Sequence, residues 1–350
     1  MIRYYNRSVE HLTTDVAIIG AGPIGIELAV ALQRAGIEYE HFDAKQIGYT
    51  ISWFAPQTKF FSSNERIAIA GVPLMTADQS KATREEYLTY LRSVVTQFDL
   101  KIHTYEPLTG IERDDNGFTL TTQPRGSTRK THAKRLILAT GGTDHPRRLN
   151  IPGEDLPHVS HYFQDPHTYF SKRLLIVGGK NSAVEAALRC HNAGAKVAMS
   201  YRRELFPEKS IKYWLLPEIN GLIQSKKIEG HFLTQPTQIT PTQVTLCRSN
   251  ETFDIAADFV LLLIGYRQDN TLFKLAGVEV RGDCGAPVYN EATMETNVQN
   301  VYVAGTAVGG TQDKYRVFIE NCHVHVDRIL AALTGHTPPP APQEYARPES

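Results

Sequence analysis

Two stretches of this chain carry the same short pattern, and that repetition constrains the fold more than any other feature. Asp15 to Ile19 is an apolar run that ends at Gly20, and Leu174 to Val177 is another that ends at Gly178. Each leads through a glycine-rich turn into an alanine-rich stretch, Ile26 to Ala35 and Val184 to Ala193. Each stretch closes at Ala-Gly, with Gly36 and Gly194 just past a helix end, where left-handed backbone is favoured. A second short strand follows each time, Tyr39 to Phe42 and Lys196 to Ser200. Two strand–helix–strand openings in one chain predict an α/β protein with two parallel-sheet domains.

A second repeat supports the first. Ile111 to Leu138 reads as short antiparallel strands with a polar turn at Asp114 to Gly117, finishing at Ala139-Thr140-Gly141-Gly142. Gln238 to Leu246 and Asp254 to Leu263 repeat this and finish at Ile264-Gly265. Thr143 to Pro157, rich in Pro, Gly and Arg, reads as the linker between the halves. Met294 to Gly310 holds a return strand, Val301 to Val303, ahead of a last helix expected over roughly Lys314 to Leu333. The expected division is a discontinuous first domain over 1–150 and 290–336 and a second over 151–289. The Pro-rich tail over 337–350 is expected to be disordered.

Composition excludes several classes. Lys+Arg and Asp+Glu both number 37, and a balanced chain argues against a nucleic-acid binder. No apolar run approaches the roughly 20 residues that span a bilayer, so no membrane insertion is expected. The first residues lack the apolar core of a signal peptide, which makes the cytoplasm the expected location. Cys190, Cys247, Cys284 and Cys322 are widely spaced with no CxxC, so neither a disulfide framework nor a metal site is expected.

The first glycine turn, Gly20-Ala21-Gly22-Pro23-Ile24-Gly25, is a complete GxGxxG between a strand and a helix, the context that this motif requires. Gly20 allows the tight turn, Gly22 lets a pyrophosphate reach backbone, and Gly25 lets helix and strand pack closely. The helix N-terminus then offers unpaired N–H groups to the phosphates. Asp43, at the end of the second strand, can accept from ribose hydroxyls. Pro23, the Ala-Thr-Gly turn at 139–141 and the Ala304-Gly305 return favour FAD here. A helix opening after Gly305 would present its positive end to the reduced flavin.

The second turn, Gly178-Gly179-Lys180-Asn181-Ser182-Ala183, has Lys180 in the second glycine slot and Ala183 in the third. Its second strand ends in Tyr201-Arg202-Arg203, with no acid at the ribose position. Arginines there suit the extra 2′-phosphate of NADPH through charge-assisted hydrogen bonds.

With those residues in place, the chain resembles the pyridine-nucleotide disulfide oxidoreductases of thioredoxin-reductase-like build. Within them it is similar to the bacillithiol-disulfide reductase family. The likeness runs from about Thr14 to Gly335 and is most distinctive at Gln57 to Ser63, Gly178 to Ala187, Ala286 to Asn290 and Phe318 to Asn321. Lys in the second glycine slot is itself a trait of that family. The resemblance implies an NADPH-dependent FAD reductase of low-molecular-weight disulfides, assembled as a homodimer or homotetramer. Carried over by position, FAD contacts fall at Gly20, Ala21, Gly22, Pro23, Ile24, Gly25, Asp43, Ala44, Lys45, Gln57, Phe61, Ser62, Ser63, Thr140, Gly141 and Gly305. NADPH contacts fall at Gly178, Gly179, Lys180, Asn181, Ser182, Ala183, Arg202 and Arg203.

The chain departs from these relatives at two functional points. It has no CxxC in the NADPH domain, which disfavours a dithiol relay to thioredoxin. Bacillithiol-disulfide reductases carry a cysteine in the slot that Ile24 fills, and isoleucine forms no mixed disulfide. No catalytic side chain is therefore identified, and Cys284, in a turn, and Cys322, beside His323, are the remaining thiol candidates. The leading expectation is hydride transfer from NADPH to FAD and on to a small disulfide such as bacillithiol disulfide. The alternative acceptor is a protein such as ferredoxin, and a flavin monooxygenase is a third reading.

Overall fold

The computed structural model describes residues 10–312 and 316–338. The chain divides into two compact units. The first gathers the described parts of Met1–Ser52, Gln57–His145 and Arg267–Ser350; the second gathers Trp53–Pro56 and Pro146–Tyr266.

The first unit is built on a six-stranded sheet. Its opening strand, Glu10–Ile19, lies parallel to Tyr39–Phe42 on one side and to Arg129–Leu138 on the other. The latter strand has two partners in turn on its far side. Phe118 to Thr122 run antiparallel beside Arg129 to Ala133, and Val301–Val303 run parallel beside Leu136 to Leu138. The return strand thus completes the parallel part of the sheet where the meander stops. Val16, Ala17, Ile18, Leu136, Ile137 and Val303 are all fully buried, as a parallel sheet covered on both faces requires. Helix Pro23–Arg34 packs on it through Ile26, Leu28, Ala29 and Val30. Thr83 and Glu86 close a reciprocal capping box on helix Arg84–Gln97.

The second unit has a five-stranded parallel sheet, in the order Glu229–Phe232, Lys196–Tyr201, Arg173–Val177, Phe259–Leu262, Val159–Ser160. Alternate residues of the strand Arg173–Val177 feed two separate cores. Leu174 and Ile176 join the helix Asn181–Asn192 on one face, while Leu175 and Val177 join Val244 and Leu246 on the other. Here the meander is a sheet of its own, Gln235–Ile239, Gln243–Arg248 and Glu251–Ala256, rather than an extension of the parallel one.

Three expectations are corrected. The chain returns to the first unit at Arg267, not at 290. Phe273, Ala276, Val278, Met294 and Val298 all bury in the first unit's core, and that burial holds the segment there. The segment Trp53–Pro56 belongs to the second unit, where Trp53 meets the rings of Tyr162 and Tyr266 at 5.2 and 6.1 Å. The last helix begins at His323, not near Lys314, and runs to Thr334. Before it, the Asn321 side chain accepts the Phe318 N–H at 2.9 Å and donates to the Arg316 carbonyl at 2.7 Å. Such local side-chain bonds favour a turn over a helix. The expected disordered tail over 337–350 lies, apart from its first two residues, outside the described residues.

No helix among the described residues is long and apolar enough to cross a membrane. No cluster of metal-ligating side chains occurs among them.

Candidate functional site

The first glycine loop is held almost wholly by backbone. Gly20 has φ +108, and a Cβ there would lie 2.4 Å from the carbonyl oxygen of Ala139. A Cβ on Gly25 would lie 1.9 Å from the Gly20 carbonyl oxygen, so only glycine lets the helix begin this close to the strand. Gly22 is different: nothing lies within 4 Å of where its Cβ would point. It caps helix Pro23–Arg34 without a side-chain bond, and no acid occupies the first turn. The N–H groups at that end have no intrahelical partners, so bare space faces a positive helix end. A pyrophosphate fits this arrangement, as expected for FAD.

Around the loop, two side chains fix its shape. Asp43 accepts the N–H of Ala21 at 2.6 Å and that of Lys45 at 2.7 Å. Burial raises its pKa, while these two N–H bonds hold it down. His41, fully buried, meets the Gly20 carbonyl through Nε2 at 2.9 Å. Burial lowers its pKa to about 4, so the ring is neutral and Nε2–H donates. Sequence reasoning missed His41; only its inward place in a buried strand, two residues before Asp43, marked it. Ala44 and Lys45 are exposed, with the Lys45 ammonium 5.7 Å from the Tyr49 ring centre.

The return segment meets the same loop. Gly305, at φ +71, packs so that its Cβ would lie 3.4 Å from Cβ of Ile24. Its N–H donates to Nδ1 of His325 at 3.2 Å, and burial lowers the His325 pKa to about 4. The helix expected after Gly305 is only a short 3-10 turn, Gly305–Gly309. Gly142 N–H donates to the Thr306 hydroxyl at 3.1 Å, which joins the 139–142 turn to this segment. The 139–142 turn is thus joined to the Gly305 segment, which itself packs on Ile24. Gln57 is exposed at φ +62, with its N–H on Glu85 at 3.1 Å. Ser62 is buried, Phe61 half-buried, and Ser63 precedes the short helix Asn64–Ile67. A cleft of about 680 Å³ at the Asp114 to Gly117 turn, lined by Arg113, Lys134 and Asn300 among others, contains none of these residues.

The second loop repeats the strand-end contact. Gly178, at φ +142, would place a Cβ 2.4 Å from the Leu263 carbonyl oxygen. Ala183, in the third slot, shows that a methyl group is tolerated where Gly25 tolerates none. Beneath Gly179 lies the ring of Tyr201, 2.5 Å from where a Cβ would be, stacked in turn on Phe206. Lys180 is exposed at the N-cap of helix Asn181–Asn192, and Ser182 is exposed beside it. The Asn181 side chain accepts the Lys212 N–H at 2.8 Å. Arg202 and Arg203 are exposed and make no ion pair among the described residues. Two unpaired guanidinium groups at the end of the second strand suit a 2′-phosphate. The ring under Gly179 was not foreseen, and the Ser200-Tyr201-Arg202 order was its one available signal.

None of the four thiols lies in either glycine loop. Burial pushes the Cys190 pKa up to about 12 and raises that of Cys322 further. Cys322 is fully buried, which removes it as a nucleophile. Cys247 is half-buried. Cys284 is exposed, and its carbonyl accepts the Thr311 N–H at 2.7 Å, tying its turn to the segment that follows Gly305.

Three comparisons place this geometry among known proteins. The family pattern described as Pyridine nucleotide-disulphide oxidoreductase matches residues 17–305. The bacilliredoxin reductase of Bacillus subtilis (strain 168) is 35% identical over 318 residues, covering 90% of this chain and 96% of that protein. A ferredoxin–NADP reductase of Ignicoccus hospitalis is 27% identical over 298 residues, covering 83% and 89% respectively. The solved bacillithiol disulfide reductase from Bacillus cereus superposes with a TM-score of 0.88 at 34% identity, over 92% of this chain and 99% of that one.

Proposed function

This chain belongs to the pyridine nucleotide-disulphide oxidoreductase family, and from that premise we propose that its acceptor is a small disulfide of the bacillithiol type. It is an FAD-dependent oxidoreductase that draws its electrons from NADPH. The observation that carries the proposal is the 35% identity to a bacilliredoxin reductase across nearly the whole of both chains.

When bound, FAD would supply the two-electron chemistry that joins NADPH oxidation to reduction of the acceptor. The balance is NADPH, one proton and one disulfide in, and NADP⁺ and two thiols out. The chain's own residues bind and orient. Gly20, Gly22 and Gly25 would admit the FAD pyrophosphate to the helix end, and Asp43 would accept from the ribose hydroxyls. Arg202 and Arg203 take the 2′-phosphate. Ile24 is 5% exposed and lies against Gly305, so this part of the loop is apolar and offers no thiol. Of the four thiols Cys284 alone is exposed, and it is the one that would form a mixed disulfide with the acceptor.

Turnover settles the acceptor. NADPH oxidation with bacillithiol disulfide should release two thiols per NADPH, and a Cys284→Ser variant should separate the direct route from the thiol route. Absence of thiol release, with rapid electron transfer to ferredoxin, would overturn the proposal in favour of the acceptor named for the more distant relatives.

A further inference from the structure

We infer that Gln268 is a cofactor-binding residue of the first unit, its side-chain carbonyl accepting a hydrogen bond from the flavin half of FAD. This rests on FAD binding in the first unit and not on which acceptor is reduced.

Gln268 lies just after the point where the chain re-enters the first unit, and it is 8% exposed. Its backbone N–H donates to the Thr311 hydroxyl at 3.0 Å. Its side-chain Nε2 donates to the Ala307 carbonyl at 3.1 Å and to Oδ1 of Asn270 at 3.3 Å. Those two partners decide the orientation of the amide. A main-chain carbonyl can only accept, so the NH₂ end must face Ala307 and the oxygen must face the other way. That oxygen has no hydrogen-bond partner among the described residues.

Its direction follows from the glycine beside it. A Cβ on Gly142 would come within 3.4 Å of Gln268 Oε1 and 2.8 Å of the Thr306 carbonyl. The acceptor therefore borders the Gly141-Gly142 turn and the 3-10 turn Gly305–Gly309, which Gly142 N–H and Thr306 already join. These segments hold Thr140, Gly141 and Gly305, three of the expected FAD contacts. A buried carbonyl without a donor is unfavourable, and nearly all such groups in folded proteins are matched. What FAD brings to such a place is donors: the isoalloxazine N3–H and the ribityl hydroxyls. The glycine at 142 keeps the approach free of a side chain.

Two variants separate this role from a purely structural one. Gln268→Leu removes both the acceptor and the donor to Ala307. Gln268→Glu keeps the acceptor oxygen and loses the donations to Ala307 and Asn270. The full-length protein would be loaded with FAD, N3-methyl-FAD or a ribityl-deoxy FAD. Flavin release and reduction potential would be measured, together with the melting temperature of the flavin-free chain. We expect Gln268→Leu to release FAD about tenfold more readily. Gln268→Glu should keep FAD and lower its potential, because a carboxylate opposes the charge of the reduced flavin. One analogue should weaken binding in the parent and not in Gln268→Leu. N3-methyl-FAD doing so would identify the ring as donor, and the deoxy analogue doing so would identify the ribityl chain. Equal FAD retention and potential in parent and Gln268→Leu would overturn the inference. So would equal losses in the Leu and Glu variants, since the lost donations to Ala307 and Asn270 would then explain them.

Discussion

At the first glycine of each loop the backbone meets the same demand. Gly20 lies against the Ala139 carbonyl and Gly178 against the Leu263 carbonyl, each with 2.4 Å left for a Cβ. Beyond that point the loops diverge. The first leaves bare space at Gly22 and closes on itself at Gly25, so the loop itself offers a ligand main chain alone. The second has Lys180 and Ala183 in those slots, rests Gly179 on an aromatic ring, and adds two exposed arginines. What the chain needs in order to turn is common to both; what each ligand needs is not. Backbone N–H groups in a tight turn suit a cofactor that stays. Exposed charges suit a cosubstrate that comes and goes, because their attraction is screened by salt and readily reversed.

The sharpest way to break this contrast is at the third slot. Gly25→Ala should cost about 3 kcal/mol, since the intruding methyl meets a backbone carbonyl that cannot swing away. Ala183→Gly should cost about 1 kcal/mol or less, as an ordinary helix substitution. Thermal melts and flavin content check this, and a fully yellow, normally stable Gly25→Ala protein would refute the tight closure. Next in size, replacing both Arg202 and Arg203 by Ala should raise the KM for NADPH on the order of a hundredfold. The KM for NADH should stay within about twofold. Equal changes for both nucleotides would remove the 2′-phosphate assignment.

Acid should weaken the first unit through two buried histidines. His41 and His325, both in the first unit, are held neutral by burial, with pKa values lowered from 6.5 to about 4. Between those values the unfolded chain binds protons that the folded one does not. Stability therefore falls as pH drops from 6.5 towards 4, by up to about 1.4 kcal/mol per pH unit for each histidine. His323 acts in the opposite sense. Burial alone would lower its pKa, but the Glu27 carboxylate, 2.7 Å away, together with the Arg66 carbonyl and Asp327 raises it. Its contribution is complete below its unfolded pKa and is lost as pH rises through the folded one. Flavin release on acidification, measured alongside unfolding, should thus begin below pH 6.5, and His41→Asn should flatten the dependence. An acid profile unchanged by that substitution would contradict it. The smallest effect expected is at Lys180: its replacement by Ala should weaken NADPH by less than about 1 kcal/mol and soften the salt dependence of KM.

The features legible in the sequence are those set by near neighbours. The glycine loops, the Ala-Gly helix ends and the apolar strands before them all depend on residues a few positions apart. What escaped depends on distant partners. Phe273, Ala276 and Val278 are apolar and would suit either core, so spacing alone did not show that the chain returns at Arg267 rather than 290. The late start of the last helix turns on Asn321 bonding back to Phe318 and Arg316, a choice invisible in a helix-compatible stretch. His41 and His325 grip Gly20 and Gly305 only because strands and turns far apart in the chain converge.

One anaerobic experiment decides both donor and acceptor: mix the FAD-loaded protein with one equivalent of NADPH, follow loss of the visible flavin band, then add bacillithiol disulfide. NADPH should bleach the band rapidly and NADH much more slowly. Adding the disulfide should restore it, with two thiols released per flavin. Bleaching that does not discriminate between the nucleotides, or a reduced flavin that the disulfide leaves untouched, would contradict these assignments of donor and acceptor.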